Sequence, residues 1–193
     1  MRQCIFVIGS REQLLQVAPL LRLTREQGLR HSVWIAAEVH EPLDAMLDDT
    51  GLKGGVVLPN RPAPRSQLAK LMYWMPISAY RCFSYVHGVK TWTTKSPLIV
   101  VHGDGLSTRI AAHAGRWGGG QLVHLQHTTS SQPTRKSILK KSRFAFCRAD
   151  EAGERSRRYP GCKVVGVEPD DASALQTIVE SLLRWTGGKS SDA

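Results

Sequence analysis

Two short polar turns in this chain carry residue types suited to holding an anion or a hydroxyl-rich ligand: Gly9-Ser10-Arg11 and His102-Gly103-Asp104-Gly105. Each follows an apolar run, Ile5 to Ile8 and Leu98 to Val101, and each precedes a helical pattern. Backbone N–H groups are unpaired at a helix start, so Arg11 beside Gly9 and Ser10 is placed to bind phosphate. The plainer alternative is a surface arginine paired with Glu12. Asp104 can act as a base or accept a hydroxyl. It can also simply order the turn and cap the next helix, which is the reading preferred here. His102, His124 and His127 resemble a metal cluster at first sight, but no carboxylate or cysteine accompanies them at ligand spacing, and no metal is expected. Thr128-Thr129-Ser130-Ser131 reads as a loop. Gly118-Gly119-Gly120 follows a helix and precedes a strand, the reverse of a dinucleotide fingerprint. No serine or cysteine sits in a nucleophile elbow.

These turns must be positioned by the elements around them. Apolar runs predict strands at 4–8, 32–36, 55–58, 98–101, 121–125, 144–147 and 163–166. Helical spacing predicts helices over 12–27, 41–49, 107–117 and 172–185. This alternation predicts an α/β fold: a single Rossmann-like domain over 1–186 with a parallel sheet of about seven strands and helices on both faces. The closing helix lies at about 172–185, and 187–193 is expected to be a disordered tail. Ligands of open α/β sheets bind at the carboxyl ends of the strands, where both polar turns fall. The segment 67–93 is rich in aromatic residues and is interrupted by Pro76. As core it covers one sheet face, the preferred reading. As surface, Leu71 to Ile77 is an apolar patch for a partner or a membrane.

Composition bounds the classes. A chain of 193 residues, 41% apolar and 22% charged, is globular rather than disordered. No run approaches a membrane span, and Cys4 to Ile8 is too short for a signal peptide, so a cytoplasmic location is expected. Cys4, Cys82, Cys147 and Cys162 show no paired spacing and read as free thiols, with Cys4 and Cys147 buried in strands. The net charge is +10. Residues 134–158 hold nine Lys or Arg against three acidic residues, a local +6. That stretch can attract phosphate, nucleic acid or an anionic membrane, or it can be a solvated face. No aromatic RNA motif or helix-turn-helix supports nucleic acid, which ranks last among the partners.

The stretch from Gly9 to Leu20, with Gly-Ser-Arg-Glu followed by Ala18-Pro19-Leu20, resembles the opening of non-hydrolysing UDP-N-acetylglucosamine (UDP-GlcNAc) 2-epimerases, which reads G-T-R-P-E and then A-P-L. Glu38 to Leu47 is similar to that family's Q-H-R-E-M-L-D segment, and His102-Gly103-Asp104 matches its H-G-D. His124-Leu125-Gln126 falls at the family's spacing for H-V-E. The resemblance covers roughly 3–150 and implies the amino-terminal domain of a two-domain, GT-B-like architecture. Val165 to Leu183 is similar to the family's last helix. The second domain would then be missing between about Tyr159 and Lys163.

The resemblance implies Asp104 as a residual catalytic carboxylate, with Gly9, Ser10, Arg11, His102, Gly103 and His124 toward the substrate. Epimerisation removes and returns a C2 proton, which needs acid–base groups on both sides of the sugar. Here the glutamate of H-V-E is Gln126, an amide that cannot exchange protons as a carboxylate does. The chain is therefore expected to bind a UDP-sugar or a protein partner without epimerising alone. Alternatives are one subunit of a split epimerase or GT-B glycosyltransferase, and a basic nucleic-acid-binding protein. No cofactor is implied. A homodimer through the face left by the missing domain is expected, and peripheral membrane contact is a further alternative.

Overall fold

Cys4–Ile8 is apolar at every position and becomes an interior strand of the sheet, β1. A strand buried on both faces needs such a continuous apolar run, and parallel sheets supply that burial. The computed structural model describes residues 2–36, 50–51, 57–59, 63–103, 105–125, 136–168 and 172–187. The other strands are His31–Ile35 (β2), Val57–Pro59 (β3), Leu98–His102 (β4), Gln121–Leu125 (β5), Ser142–Arg148 (β6) and Lys163–Val167 (β7). They form one seven-stranded sheet in the order β3-β2-β1-β4-β5-β6-β7. Every pairing is parallel. The α/β architecture expected from the sequence is the one observed.

Arg11–Glu26 (α1) joins β1 to β2, with Ser10 as its cap: Ser10 Oγ accepts from the Gln13 N–H at 3.3 Å. The closing helix is Ala172–Thr186 (α6). These two helices pack on one sheet face, where Leu14, Leu21, Val179 and Leu182 meet Phe6, Val100, Val123 and Phe146. Trp185 of α6 stacks on Phe144 at 3.7 Å between ring centres.

The opposite face is covered by a helix over 67–93 (α2) and one over 106–117 (α3). Ile5, Val7, Ile99, Val101 and Leu122 pack there against Trp74, Cys82, Val86 and Ile110. Both helices contain a π-helical turn, Lys70–Trp74 in α2 and Ala111–Gly115 in α3. Pro76 does not interrupt α2. It sits at the second position of the α-helical stretch Met75–Thr93, just beyond the π turn. The wider turn already displaces the backbone pairing that a proline would otherwise break.

Two helices flank β6 inside the basic segment, where the sequence pointed only to the strand: Lys136–Lys141 (α4) and Ala149–Arg158 (α5). α5 has no buried residues, so no apolar period announced it. The expected helix over 41–49 and nearly all of the expected tail, 188–193, lie outside the described residues. All four cysteines are free and buried: Cys4 and Cys147 within strands, as expected, and Cys82 and Cys162 as well.

The aromatic segment divides between its two readings. Trp74, Cys82 and Val86 are core. Leu71, Met72, Tyr73, Ile77 and Tyr80 are exposed, so the core reading fails for the outer side of α2.

Candidate functional site

β1 pairs with β2 on one side and β4 on the other, and the chain leaves β1 toward β2. The sheet order therefore reverses between β1 and β4. The segments that follow them, α1 and α3, cover opposite faces, and open α/β sheets bind ligands outside the carboxyl ends of the strands at such a reversal. The register Ile5↔Ile99, Phe6↔Val100, Val7↔Val101 places Gly9-Ser10-Arg11 beside His102-Gly103. The two polar turns are neighbours.

One side chain ties them together. Gln13 Oε1 accepts from the Gly9 N–H at 2.8 Å, and Gln13 Nε2 donates to the His102 carbonyl at 3.2 Å. Only an amide can do both, because a carboxylate would set an oxygen against that carbonyl. The same carbonyl accepts from Thr108 Oγ1 at 2.9 Å. Gly103 has φ +71°, a left-handed conformation that favours glycine. Its N–H donates to the Leu125 carbonyl at 3.4 Å, drawing the end of β5 into the group.

His124 completes this frame. Its Nε2 lies 3.1 Å from the Gly103 carbonyl, and a carbonyl can only accept, so Nε2 carries the proton. The ring is fully buried, and burial pushes its pKa down to about 4, with Arg155 lowering it further. His124 is therefore neutral near pH 7, and its Nδ1 has no hydrogen-bond partner among the described residues. A neutral buried imidazole has one acceptor nitrogen, here Nδ1, while its Nε2–H is committed to the Gly103 carbonyl.

His102 and His124 do not converge. Val101 and Leu122 face α2 and α3, whereas Val100 and Val123 face α1 and α6. Side chains alternate along strands, so His102 and His124 point to opposite faces. Among the described residues no three His, Cys, Asp or Glu side chains gather as metal ligands. Asp104 and Gln126 lie outside the described residues. Arg11 is exposed at the first position of α1.

Two further residues belong to this edge. Glu151 and Arg155 lie one turn apart on α5, which starts where β6 ends, and they pair at 2.7 Å. Arg155 is half-buried, acts electrostatically on His124 and Cys147, and keeps its Nη1 atom out of solvent without a hydrogen-bond partner among the described residues. An oxyanion fits such a nitrogen. Their signal in the sequence is Glu-x-x-x-Arg directly after a strand. The basic count over 134–158 hid it. Cys147, on the same edge, is no nucleophile: burial pushes its thiol up to about 11.

No protein-family model matches the sequence, and none of the curated proteins does. Solved structures do match. A UDP-GlcNAc 2-epimerase from Neisseria meningitidis, bound to UDP-GlcNAc, is 21% identical with a TM-score of 0.63, over 96% of this chain and 50% of that one. The enzyme of the same name from Rickettsia bellii is 13% identical with a TM-score of 0.59, over 99% and 50%. The S. aureus MnaA–UDP co-structure is 15% identical with a TM-score of 0.56, over 86% and 43%. The chain thus spans about half the length of the structures it matches. At these identities the likeness establishes the fold: the Rossmann-like α/β unit of this chain is one also found within UDP-GlcNAc 2-epimerases.

Proposed function

We propose that this chain is an epimerase-like nucleotide-sugar-binding domain that takes a UDP-sugar such as UDP-GlcNAc at the carboxyl edge of β1, β4 and β5, and does not epimerise it alone. The observation that carries this reading is the joining of the two polar turns through Gln13 at the point where the strand order reverses. The match to structures bound to UDP and to UDP-GlcNAc supports the ligand class. In this reading Ser10 offers a backbone N–H group, Gly9 lets the backbone approach the ligand while its own N–H is held by Gln13, Arg11 and Arg155 offer cationic nitrogens, and His102, Gly103 and His124 shape the floor. Glu151 is a carboxylate at the edge, oriented by its ion pair with Arg155. With Gln126 in place of a carboxylate, the proton relay for C2 inversion lacks one of its members.

A second reading rests on the half-length match: the chain is one subunit of a split epimerase or GT-B glycosyltransferase, whose other half closes the cleft. Location in the cytoplasm and a homodimer remain part of the proposal. No described helix is long and apolar enough to cross a membrane.

Calorimetric titration with UDP-GlcNAc, paired with NMR detection of solvent deuterium at C2, tests the reading. Saturable binding that is lost in Arg11→Ala or Arg155→Ala, with no deuterium uptake, is the expected result. Deuterium uptake by the chain alone would show that it epimerises unaided. Absence of binding at millimolar ligand would remove the nucleotide-sugar reading.

A further inference from the structure

The inner side of α2 follows a helical rule: Trp74, Ser78, Cys82 and Val86 recur every fourth residue and are buried. Its outer side does not follow the complementary rule, which calls for polar residues. Leu68, Leu71, Met72, Tyr73, Ile77 and Tyr80 are all exposed there, Tyr73 at 68% and Tyr80 at 71%. A continuous apolar patch of this kind marks an interaction surface.

Charge selects the occupant. Between Asp49 and Asp104 the sequence has no acidic residue and seven Lys or Arg. Arg65 and Arg81 flank the apolar run, and the half-buried Lys70 lies within it. A second copy related by a two-fold axis would set these basic residues against themselves, and each copy carries +10. An anionic bilayer reverses both effects. Tyrosine, methionine and leucine side chains enter the headgroup boundary, while Lys and Arg stems reach along the apolar face and place their charges at lipid phosphates. No described helix can span a bilayer, so the contact is interfacial.

We propose that this face of α2, from Arg65 to Arg81, docks the protein on anionic lipid bilayers. α2 begins after β3 has ended and finishes before β4 starts, so its first turns lie on the carboxyl side of the sheet. Docking there brings the crevice between β1 and β4 toward the lipid headgroups. The proposal goes beyond the nucleotide-sugar reading and stands without it.

Co-sedimentation of the full chain with vesicles is the test, using phosphatidylcholine alone and phosphatidylcholine mixed with phosphatidylglycerol. The chain is expected to pellet with the mixed vesicles, to remain in solution with the neutral ones, and to be released by salt. A Met72→Glu/Tyr73→Glu double variant should bind at least about ten-fold more weakly while melting at the same temperature, because both positions are exposed. Lys70→Glu should weaken binding to a smaller degree. Failure to pellet with mixed vesicles overturns the proposal. So does full binding by the double variant, which would assign the attraction to charge elsewhere. A dimer in sedimentation velocity that the double variant dissolves would give this face to a second copy instead.

Discussion

The two helical layers of this sheet are built to different standards. On one face, α1 and α6 are α-helical throughout and their inward aliphatic side chains are sealed: Leu14, Leu21, Val179 and Leu182 have no exposed surface. Leu15 is the one large aliphatic of the pair in solvent among the described residues. On the other, α2 and α3 carry π-helical turns and approach the sheet over Gly115, Gly118 and Gly120, which abut Ile99 and Val86. The second layer also leaves large apolar residues in solvent. A layer that only closes a core needs regular ridges and nothing more. Departures from regularity are found where a second requirement acts on the same helix. On this layer α3 also anchors the turn after β4, Thr108 Oγ1 donating to the His102 carbonyl, and α2 presents its exposed apolar face.

The largest expected effect lies in the sealed layer. Leu182→Ala should cost about 2–5 kcal/mol of stability in urea unfolding, the range for an unrelieved core cavity. Tyr80→Ala, on the exposed side of α2, should stay within about 0.5 kcal/mol. Equal costs at the two positions would erase the contrast between the layers.

A pH series sharpens it next. His124 takes its proton near 6.5 when unfolded and only near 4 in the fold. The unfolded chain therefore binds more protons between those values, so stability present above about pH 6.5 is lost as pH falls toward 4. The full effect is about 3 kcal/mol. Urea midpoints of His124→Gln should depend less on pH across that window than those of the parent chain. An unchanged slope would mean that His124 is solvated or charged.

Smaller effects follow at the close approaches. A Cβ at Gly120 would collide with the Ile99 side chain, so Gly120→Ala should cost about 1–3 kcal/mol in thermal or urea melts. Gln13→Glu replaces the donor facing the His102 carbonyl with an acceptor and should cost about 1–3 kcal/mol at neutral pH. Part of that cost should return when the glutamate is protonated. A neutral Gln13→Glu would show that the two turns are not held together by this amide.

The interior strands were legible in the sequence because buried parallel strands are continuous apolar runs, as Cys4–Ile8 and Leu98–His102 are, whereas β6 runs past its expected apolar centre to Ser142 and Arg148. The helix Ala172–Thr186 was legible through its apolar period. α5 was not, because it buries nothing and its residues registered only as charge. The continuity of α2 through Pro76 was equally hidden, since a π turn has no signature in apolar spacing. Within the candidate site, the strand-to-helix turns could be read from local composition. Gln13 could not, because its partners, Gly9 and His102, come from two turns that meet only through sheet order. The diverging directions of His102 and His124 depend on strand register, which neighbouring positions at strand ends do not reveal. Glu151 and Arg155 were visible as an i, i+4 pair only once the helix holding them was known.

The account's central claim is that the carboxyl edge at β1, β4 and β5 is the binding site. The most direct measurement is a series of amide proton–nitrogen NMR spectra of the chain titrated with UDP-GlcNAc. The account predicts saturable shifts at Gly9, Ser10, Arg11, Gly103 and Gly105, with the amides of α6 unmoved. Shifts confined to α6 or to the outer face of α2, or no shifts at saturating ligand, would contradict it.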